Sequence, residues 1–225
     1  MKIHLSLALI LAGSLVGHAQ GTFRNLNFEE ANLPAVSHGF EPVEDALPGW
    51  TVIYGTNVET LISRNSYGFD GKSRVSIWER EVYPVPLAGR CFVDFLRYGL
   101  DLTPVSIAQT GIVPADSLSL RFLVTMTPWI AGDMSVQLNG TELQMQVLGF
   151  TGGATVVGAD VSAFAGQTVE LRLISHPYQD AGVSQTYLDN IMFSPEPVPE
   201  PATFVLLALG GALAATRWRV RSRKR

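Results

Sequence analysis

Short runs of β-branched and aromatic residues, bounded by Gly, Pro, Asn and Asp, recur from residue 22 to residue 193. Two of these runs, residues 119–124 and 169–174, alternate polar and apolar side chains, as strands do when one face is buried. The runs predict strands at residues 50–54, 74–78, 90–96, 117–125, 134–138, 142–147, 168–174 and 187–193. No long segment has helical periodicity. We therefore predict an all-β fold, a two-sheet antiparallel β-sandwich of the jelly-roll kind.

The segments between the predicted strands carry turn signals. Asn139-Gly140 stands between two runs and predicts a type I′ hairpin turn, because both residues tolerate a positive φ. Residues 149–158 are rich in glycine, and we interpret them as a flexible connection within the domain. Residues 159–166 predict one short helical turn that Asp160 caps.

The N-terminus has the pattern of a secretory signal peptide. Lys2 precedes an apolar run of about a dozen residues, which ends at a small-residue site before Gln20. We predict a signal peptide over residues 1–19, with cleavage between Ala19 and Gln20. The protein is therefore expected to be exported by the secretion machinery, with residues 20–194 as its folded ectodomain.

The C-terminus divides into three segments of different composition. Residues 195–201 are proline-rich and predict an extended linker, because proline interrupts both helices and central strands. Residues 202–216 are uncharged and predict a hydrophobic helix of the transmembrane type. Residues 217–225 are basic and are expected to stay in the cytoplasm, which leaves the ectodomain outside.

Pro199-Glu200-Pro201, the short apolar span and the Arg-rich end, in this order, resemble the PEP-CTERM protein-sorting signal of Gram-negative bacteria. The resemblance implies recognition of these three residues by exosortase, a membrane-embedded, transpeptidase-like protease. It also implies a precursor held in the inner membrane by its C-terminal helix, and then a product at the cell surface or outside the cell. This family is associated with bacteria that produce exopolysaccharide and form biofilms.

Charge is distributed unevenly along the 225 residues. Residues 20–201 contain nine Lys or Arg and all twenty Asp or Glu, which gives this part a formal charge of −11. An acidic surface repels phosphate backbones, so nucleic acid is excluded as a partner, whereas divalent cations are compatible with it. Cys91 is the single cysteine of the sequence, so no intramolecular disulfide stabilises the domain.

A second resemblance covers the ectodomain. Asn27-Phe28-Glu29 near its start, Pro48-Gly49-Trp50 further on, and residues 187–191 at its end are similar to galactose-binding-like jelly rolls and β-sandwich carbohydrate-binding modules. The resemblance implies a structural calcium ion held by Glu29 and Asp189, completed by carbonyl groups and water. The alternative is that Glu29 is a surface residue and that Asp189 bonds a turn. No other cofactor is implied.

Sugar recognition would require an exposed aromatic ring with polar groups beside it. Trp78 alternates with Val75 and Ile77, so it is expected to face outward if those two residues face the core. Trp129 follows Pro128 in a predicted loop and is a second candidate for stacking on a sugar. Trp50, directly after a Pro-Gly turn, is interpreted as a core residue.

The sequence lacks a Gly-x-Ser-x-Gly elbow, a His-Glu-x-x-His motif and a phosphate-binding glycine loop. We therefore predict a non-enzymatic cell-surface or extracellular-matrix protein with a structural or adhesive role among exopolysaccharides. The alternative hypothesis is a carbohydrate-binding module for exopolysaccharide. A third, a glycan hydrolase, would use a carboxylate pair such as Glu79 and Glu81, or Glu29 and Glu30.

Overall fold

Two β-sheets pack face to face in the computed structural model, which describes residues 22–35, 38–68, 70–126, 134–177 and 182–199. The predicted all-β, two-sheet sandwich is confirmed. In chain order the strands are β1 (Gly39–Pro42), β2 (Thr51–Tyr54), β3 (Asn57–Glu59), β4 (Leu61–Arg64), β5 (Arg74–Glu79), β6 (Cys91–Tyr98), β7 (Val105–Ile112), β8 (Ser119–Met126), β9 (Met134–Leu138), β10 (Thr141–Glu142), β11 (Gln146–Thr151), β12 (Ala154–Asp160), β13 (Thr168–Ser175) and β14 (Val183–Ser194). A four-residue helix α1 (Val43–Ala46) follows β1, and a 3-10 turn (Ser162–Phe164) follows β12.

The larger sheet has eight strands in the order β1-β4-β5-β6-β14-β8-β12-β11, and the smaller has six in the order β10-β9-β13-β7-β2-β3. Neighbouring strands are antiparallel with one exception in the described chain, because β4 and β5 pair in parallel. The sandwich is therefore antiparallel, as predicted, apart from this one pair. Three of the four edge strands are very short, at four, three and two residues for β1, β3 and β10.

The core lies between the two sheets and follows from the alternation seen in the sequence. Leu120, Phe122 and Val124 of β8 are buried in it, and so are Leu171 and Leu173 of β13. Trp50 also belongs to this core at 5% exposed, and its indole N–H donates to the Asn25 carbonyl at 3.0 Å. The interpretation of Trp50 as a core residue is thereby confirmed.

Turn residues behave as predicted in one hairpin and not in another. Asn139 and Gly140 have φ of +48° and +75° between β9 and β10, as a type I′ turn requires. The interpretation of residues 149–158 as a flexible connection is wrong, because they form most of the β11–β12 hairpin. Gly152 and Gly153 turn that hairpin with positive φ, whereas Gly158 lies within β12. The short helical turn after Asp160 forms, and Asp160 accepts a hydrogen bond from the Ser162 N–H at 2.8 Å.

Several predictions fall on segments outside the described residues. These are the signal peptide over residues 1–19 with Ala19 and Gln20, Trp129, Glu200 and Pro201 of the sorting motif, the hydrophobic helix over 202–216 and the basic tail. Pro199 is described and is exposed. Within the described ranges, the structure contains no helix with the length and apolar character to cross a membrane.

Strand β6 differs from the other long strands because it is buried on both faces. Seven of its eight residues are buried, including Asp94 and Arg97. One face contacts the core between the sheets, and the other is covered by side chains from residues 65–68 and 80–90. This second face, the outer face of the larger sheet, carries the candidate site.

Candidate functional site

Aromatic rings cover the outer face of the larger sheet. The aromatic cluster consists of Tyr67, Trp78, Tyr83, Phe92 and Tyr187. Trp78 has ring-centroid distances of 4.7 Å to Tyr67 and 5.4 Å to Tyr83. Tyr187 lies 5.6 Å from Tyr83 and 5.4 Å from Phe92 in edge-to-face geometry. Tyr67 and Tyr83 are half-buried and form the solvent-facing rim, so they are the rings that a ligand would meet first.

Trp78 lies on the predicted face of β5 but is not an exposed platform. Val75 and Ile77 point into the core, as expected, and Trp78 points to the opposite side. Its side chain is nevertheless only 3% exposed, because Tyr67 and Tyr83 pack against it. The prediction that Trp78 faces solvent is therefore wrong, since loops from other parts of the chain cover this face.

A set of polar side chains lies beneath the rings. Asp94 on β6 is opposite Ser76 on β5 and opposite Tyr187 on β14, so the three share one face of the sheet. Asp94 Oδ2 accepts a hydrogen bond from Gln185 Nε2 at 2.9 Å. Asp94 Oδ1 and the Ser76 hydroxyl, both fully buried, make no hydrogen bond of standard geometry with the described residues. A buried polar atom without a hydrogen bond lowers the stability of the fold. Asp94 Oδ1 and Ser76 Oγ are therefore available to bond a further polar group.

The electrostatics of the cluster follow from its burial. Complete burial raises the pKa of Asp94 to about 7, although Gln185, Trp78 and Arg97 each favour the charged carboxylate. The Trp78 N–H lowers the pKa of Asp94, although the two groups do not form a hydrogen bond of standard geometry. Asp94 therefore carries a proton over part of the range near neutral pH and can either donate or accept a hydrogen bond.

Three tyrosine hydroxyl groups meet above Asp94. Burial and the hydrogen bond with Tyr83 raise the pKa of Tyr67 to about 12, and burial also raises the pKa of Tyr187. The Tyr187 hydroxyl also donates to Gln185 Oε1 at 3.2 Å. The Tyr67 and Tyr187 hydroxyls therefore stay protonated at physiological pH. Together with Asp94 and Gln185 they offer donors and acceptors beside apolar ring faces.

An open groove lies elsewhere, between the β1–β4 and β2–β3 edges of the two sheets. It has a volume of about 210 Å³, and Phe40, Tyr54, Asp70, Lys72 and Arg74 are among its lining residues. The Phe40 ring is 63% exposed. Asp70 and Arg74 pair with each other, and none of the described lining residues has a buried polar side-chain atom without a hydrogen bond.

Glu29 and Asp189 come close together beside the aromatic cluster, because Asp189 lies two residues beyond Tyr187 on β14. Glu29 Oε1 accepts hydrogen bonds from the N–H groups of Arg90 and Cys91 at 2.7 Å and 3.0 Å. A Cβ atom at position 89 would overlap the Glu29 carboxylate, and Gly89 has a φ of +63°. Asp189 is 1% exposed and close enough to Glu29 for the two charges to interact.

Asp189 is only partly satisfied at this position. Its Oδ1 accepts a hydrogen bond from the Asn190 N–H at 2.6 Å, while its buried Oδ2 has no partner of good geometry among the described residues. Burial, with the nearby Glu29 charge, raises the pKa of Asp189 to about 7, against the lowering effect of Arg80. A buried carboxylate oxygen beside a second carboxylate fits a calcium ion, which takes oxygen ligands. The described residues contain no group of three His, Cys, Asp or Glu side chains around one point.

In each carboxylate pair of the glycan-hydrolase hypothesis, one member is bonded to an arginine. Glu79 accepts hydrogen bonds from Arg64 and Asn65, whereas its sequence neighbour Glu81 is exposed. Glu30 pairs with Arg24 at 2.7 Å. These contacts give Glu79 and Glu30, two acidic residues of the glycan-hydrolase hypothesis, structural partners.

Sequence reasoning missed the residues at the centre of the aromatic cluster. Asp94 is the single acidic residue in the apolar run of β6, and an isolated acid in such a run is a signal that could have identified it. Tyr67 and Tyr83 come from irregular segments on either side of β5, so nothing in their local sequence indicates that they cover Trp78.

Comparison with known proteins identifies the C-terminal signal. Residues 197–224 match the PEP-CTERM protein-sorting motif, which confirms the resemblance seen in the sequence. The motif indicates an exported protein that is processed by exosortase-type machinery. No curated protein sequence matches the chain significantly.

Solved structures with similar architecture are distant in sequence. The carbohydrate-binding module TmCBM61 in complex with β-1,4-galactotriose is 10% identical, with a TM-score of 0.39, over 79% of this chain and 100% of that one. The family 11 carbohydrate-binding module from Clostridium thermocellum, in complex with a β-1,3-1,4-mixed-linked tetrasaccharide, is 9% identical, with a TM-score of 0.35, over 70% and 95%. The secreted serine protease VesC from Vibrio cholerae is 14% identical, with a TM-score of 0.34, over 56% and 25%.

Proposed function

We propose that this exported chain is a non-enzymatic cell-surface or matrix protein with an adhesive role, and that it adheres by binding polysaccharide at the aromatic cluster. The sorting motif supports the first part, because it directs the chain out of the cytoplasm. The observation that carries the second part is the pair of buried, unpartnered polar atoms, Asp94 Oδ1 and Ser76 Oγ, beneath a rim of tyrosines.

The chemistry of this cluster suits a sugar ring. Pyranose rings present C–H groups on their faces and hydroxyl groups around their edges, so they require an aromatic face together with donors and acceptors. Tyr83 and Tyr67 supply ring faces at the surface, and Gln185 and Asp94 supply polar groups below them. In this proposal the two rim tyrosines shift to admit the sugar, whose hydroxyl groups then bond Asp94 and Ser76.

Replacing Tyr83 by alanine is expected to weaken polysaccharide binding by about tenfold, through loss of one aromatic contact surface. Retardation in native gels that contain exopolysaccharide from the producing bacterium, galactan or mixed-linked β-glucan measures the effect. Tyr83→Phe keeps the ring and is expected to retain most of the retardation.

Phe40→Ala is the matched control, because Phe40 is an exposed aromatic residue in the open groove away from the cluster. It is expected to bind like the unaltered protein. Equal retardation of Tyr83→Ala and the unaltered protein would reject the aromatic cluster as the site. Absence of retardation on all three polysaccharides would reject the adhesive mechanism itself.

We propose further that Glu29 and Asp189 hold a structural calcium ion that ties the N-terminal segment to β14. The buried Asp189 Oδ2, which makes no hydrogen bond of good geometry with the described residues, supports this assignment. The ion would cross-link two segments far apart in sequence and would remove the repulsion between the two carboxylates. Calcium is therefore assigned a stabilising role and no part in chemistry.

Adding 10 mM Ca²⁺ is expected to raise the free energy of unfolding by about 2 kcal/mol, as for a site of roughly millimolar or somewhat tighter affinity. The increase should be larger at pH 8 than at pH 5, because the raised pKa of Asp189 lets protons compete with the metal below about pH 7. Thermal unfolding in Ca²⁺, in Mg²⁺ and in chelator, at both pH values, measures this increase in stability.

Asp189→Asn should abolish the calcium response, whereas Asp116→Asn, at an exposed carboxylate, should preserve it. A response of the Asp189→Asn protein equal to that of the unaltered protein would reject the assignment.

A further inference from the structure

Arg121 on β8 holds the beginning of the sorting motif against the larger sheet. Its Nη1 donates to Glu196 Oε2 at 2.7 Å, and its Nη2 donates to the carbonyl oxygens of Glu196 and Pro197 at 3.0 Å and 3.1 Å. Its Nε donates to the Ser119 hydroxyl at 2.9 Å, which fixes the guanidinium from its other side. We call these hydrogen bonds from Arg121 to Glu196 and Pro197 the Arg121 clamp. The match to the sorting motif begins at residue 197, so the clamp includes the first residue of the motif.

The backbone polar groups of this segment are occupied by the fold. The Glu196 carbonyl also accepts a hydrogen bond from Ser119 Oγ at 2.7 Å, and the Glu196 N–H donates to Ser194 Oγ at 3.1 Å. Pro195 and Pro197 have no N–H group to offer. Residues 195–197 therefore present no free backbone donor, and the carbonyls of Glu196 and Pro197 are already bonded. Pro199, two residues further on, is exposed.

Proteolytic enzymes commonly bind a substrate as an extended strand and pair with its backbone N–H and C=O groups. A segment whose backbone groups are bonded within the substrate's own fold must open before it can be cut. Cleavage breaks one peptide C–N bond, with the acyl group passing to water or to another nucleophile and a proton passing to the leaving amine. Arg121 donates hydrogen bonds to the carbonyl oxygens of Glu196 and Pro197. These carbonyl groups belong to the peptide bonds that cleavage after either residue would break.

We infer that Arg121 sets the upstream limit of sorting-signal processing, by shielding the chain through Pro197 while Pro199 stays exposed. Arg121 acts as a positioning residue on the substrate side of the reaction. The processed protein would then keep residues 195–197 docked on β8, with its new C-terminus beside the outer face of the larger sheet. This inference does not depend on what the sandwich binds.

Digestion of the full-length precursor with a prolyl endopeptidase tests the shielding directly. This probe can cut after Pro197 and after Pro199, and in the unaltered protein we expect cleavage after Pro199 to be the faster. Arg121→Gln should raise the rate after Pro197 by about tenfold, because cleavage follows the population of the opened segment, and leave the rate after Pro199 unchanged. Mass spectrometry of the fragments resolves the two sites.

Two further variants keep the result interpretable. Arg172→Gln removes a partly buried arginine from β13 in the smaller sheet and should leave both rates unchanged. Glu196→Ala lies outside the strands and removes only the side-chain part of the clamp, so an increase of about threefold is expected after Pro197. Unchanged rates in both Arg121→Gln and Glu196→Ala would overturn the inference.

The second measurement is the C-terminus of the processed protein in cells that carry exosortase-type machinery. We expect the unaltered protein to end at Val198 or later, and Arg121→Gln to add products that end at Pro197 or earlier. A processed C-terminus upstream of Val198 in the unaltered protein would overturn the inference. The outcome is independent of the polysaccharide experiments, so the two proposals can fail separately.

Discussion

Replacing Arg64 by glutamine is expected to lower the free energy of unfolding by about 3–5 kcal/mol, the usual cost of removing one partner from a buried ion cluster. Arg64 is 3% exposed. Its guanidinium donates to Glu79 Oε2 at 2.7 Å and to Glu41 Oε1 at 3.1 Å, as well as to the Pro34 carbonyl oxygen at 2.8 Å. Without Arg64 the two carboxylates repel each other where water cannot fully screen them. Urea unfolding at pH 7 measures the loss.

The same cluster predicts how stability responds to acid. Burial alone would raise the pKa of Glu79, but hydrogen bonds from Arg64 and Asn65 outweigh it and hold the pKa below its usual value. A lowered carboxyl pKa contributes stability above the unfolded-state pKa of about 4.3, and this contribution is lost as the pH falls through the lower native value. The Arg64→Gln protein should therefore lose less stability on acidification than the unaltered protein.

Arg24→Gln is the control, because the Arg24–Glu30 pair has a similar 2.7 Å distance but is exposed. It should cost less than about 1 kcal/mol. Equal losses for the two variants would show that burial does not determine the contribution of Arg64.

Replacing Asp94 by asparagine is expected to raise the free energy of unfolding by about 4 kcal/mol at pH 8 and to change it little at pH 4. Burial raises the pKa of Asp94 to about 7, whereas the unfolded chain has an ordinary value near 4. The native state therefore holds this proton more tightly, and the protein loses stability as the pH rises between these values. Asparagine stays neutral and can still accept the hydrogen bond from Gln185.

Urea unfolding at pH 4, 6 and 8 gives the required comparison. Burial shifts the pKa of Asp189 in the same direction, so the informative quantity is the difference between the Asp94→Asn curve and that of the unaltered protein. Asp116→Asn, at an exposed position, should give no such difference. If the Asp94→Asn difference is the same at pH 4 and pH 8, Asp94 does not titrate in this range.

Elements with a clear two-residue period could be predicted from sequence, and elements without one could not. β13 alternates buried and partly exposed residues through most of its length, so its pattern was visible. β7 is buried at six of its eight positions and contains small polar residues, which removes the alternation. β12 was missed because its glycines suggested a loop, although Gly158 is needed where a Cβ atom would lie 2.8 Å from the Leu120 carbonyl oxygen.

The candidate site was accessible to sequence reasoning only in part. The alternation around Ile77 correctly assigned Trp78 to the outer face of the sheet, because that depends on neighbours in the chain. The burial of Trp78 depends on Tyr67 and Tyr83, which contact it from two irregular segments. Glu29 and Asp189 were paired only through resemblance to a family, because 160 positions of sequence separate them.

The short edges of the two sheets matter for how an exported protein behaves when its copies meet. Exposed edge strands can recruit other chains into intermolecular sheets, and this is a common route to aggregation. β10 has two residues and β3 has three, while β1 ends in Pro42, which has no N–H group to donate. Among the described strands, β11 is the longest edge, and an irregular register between Val147 and Gly149 interrupts its ladder. Apart from β11, the described edges therefore offer few backbone groups with which another chain could pair.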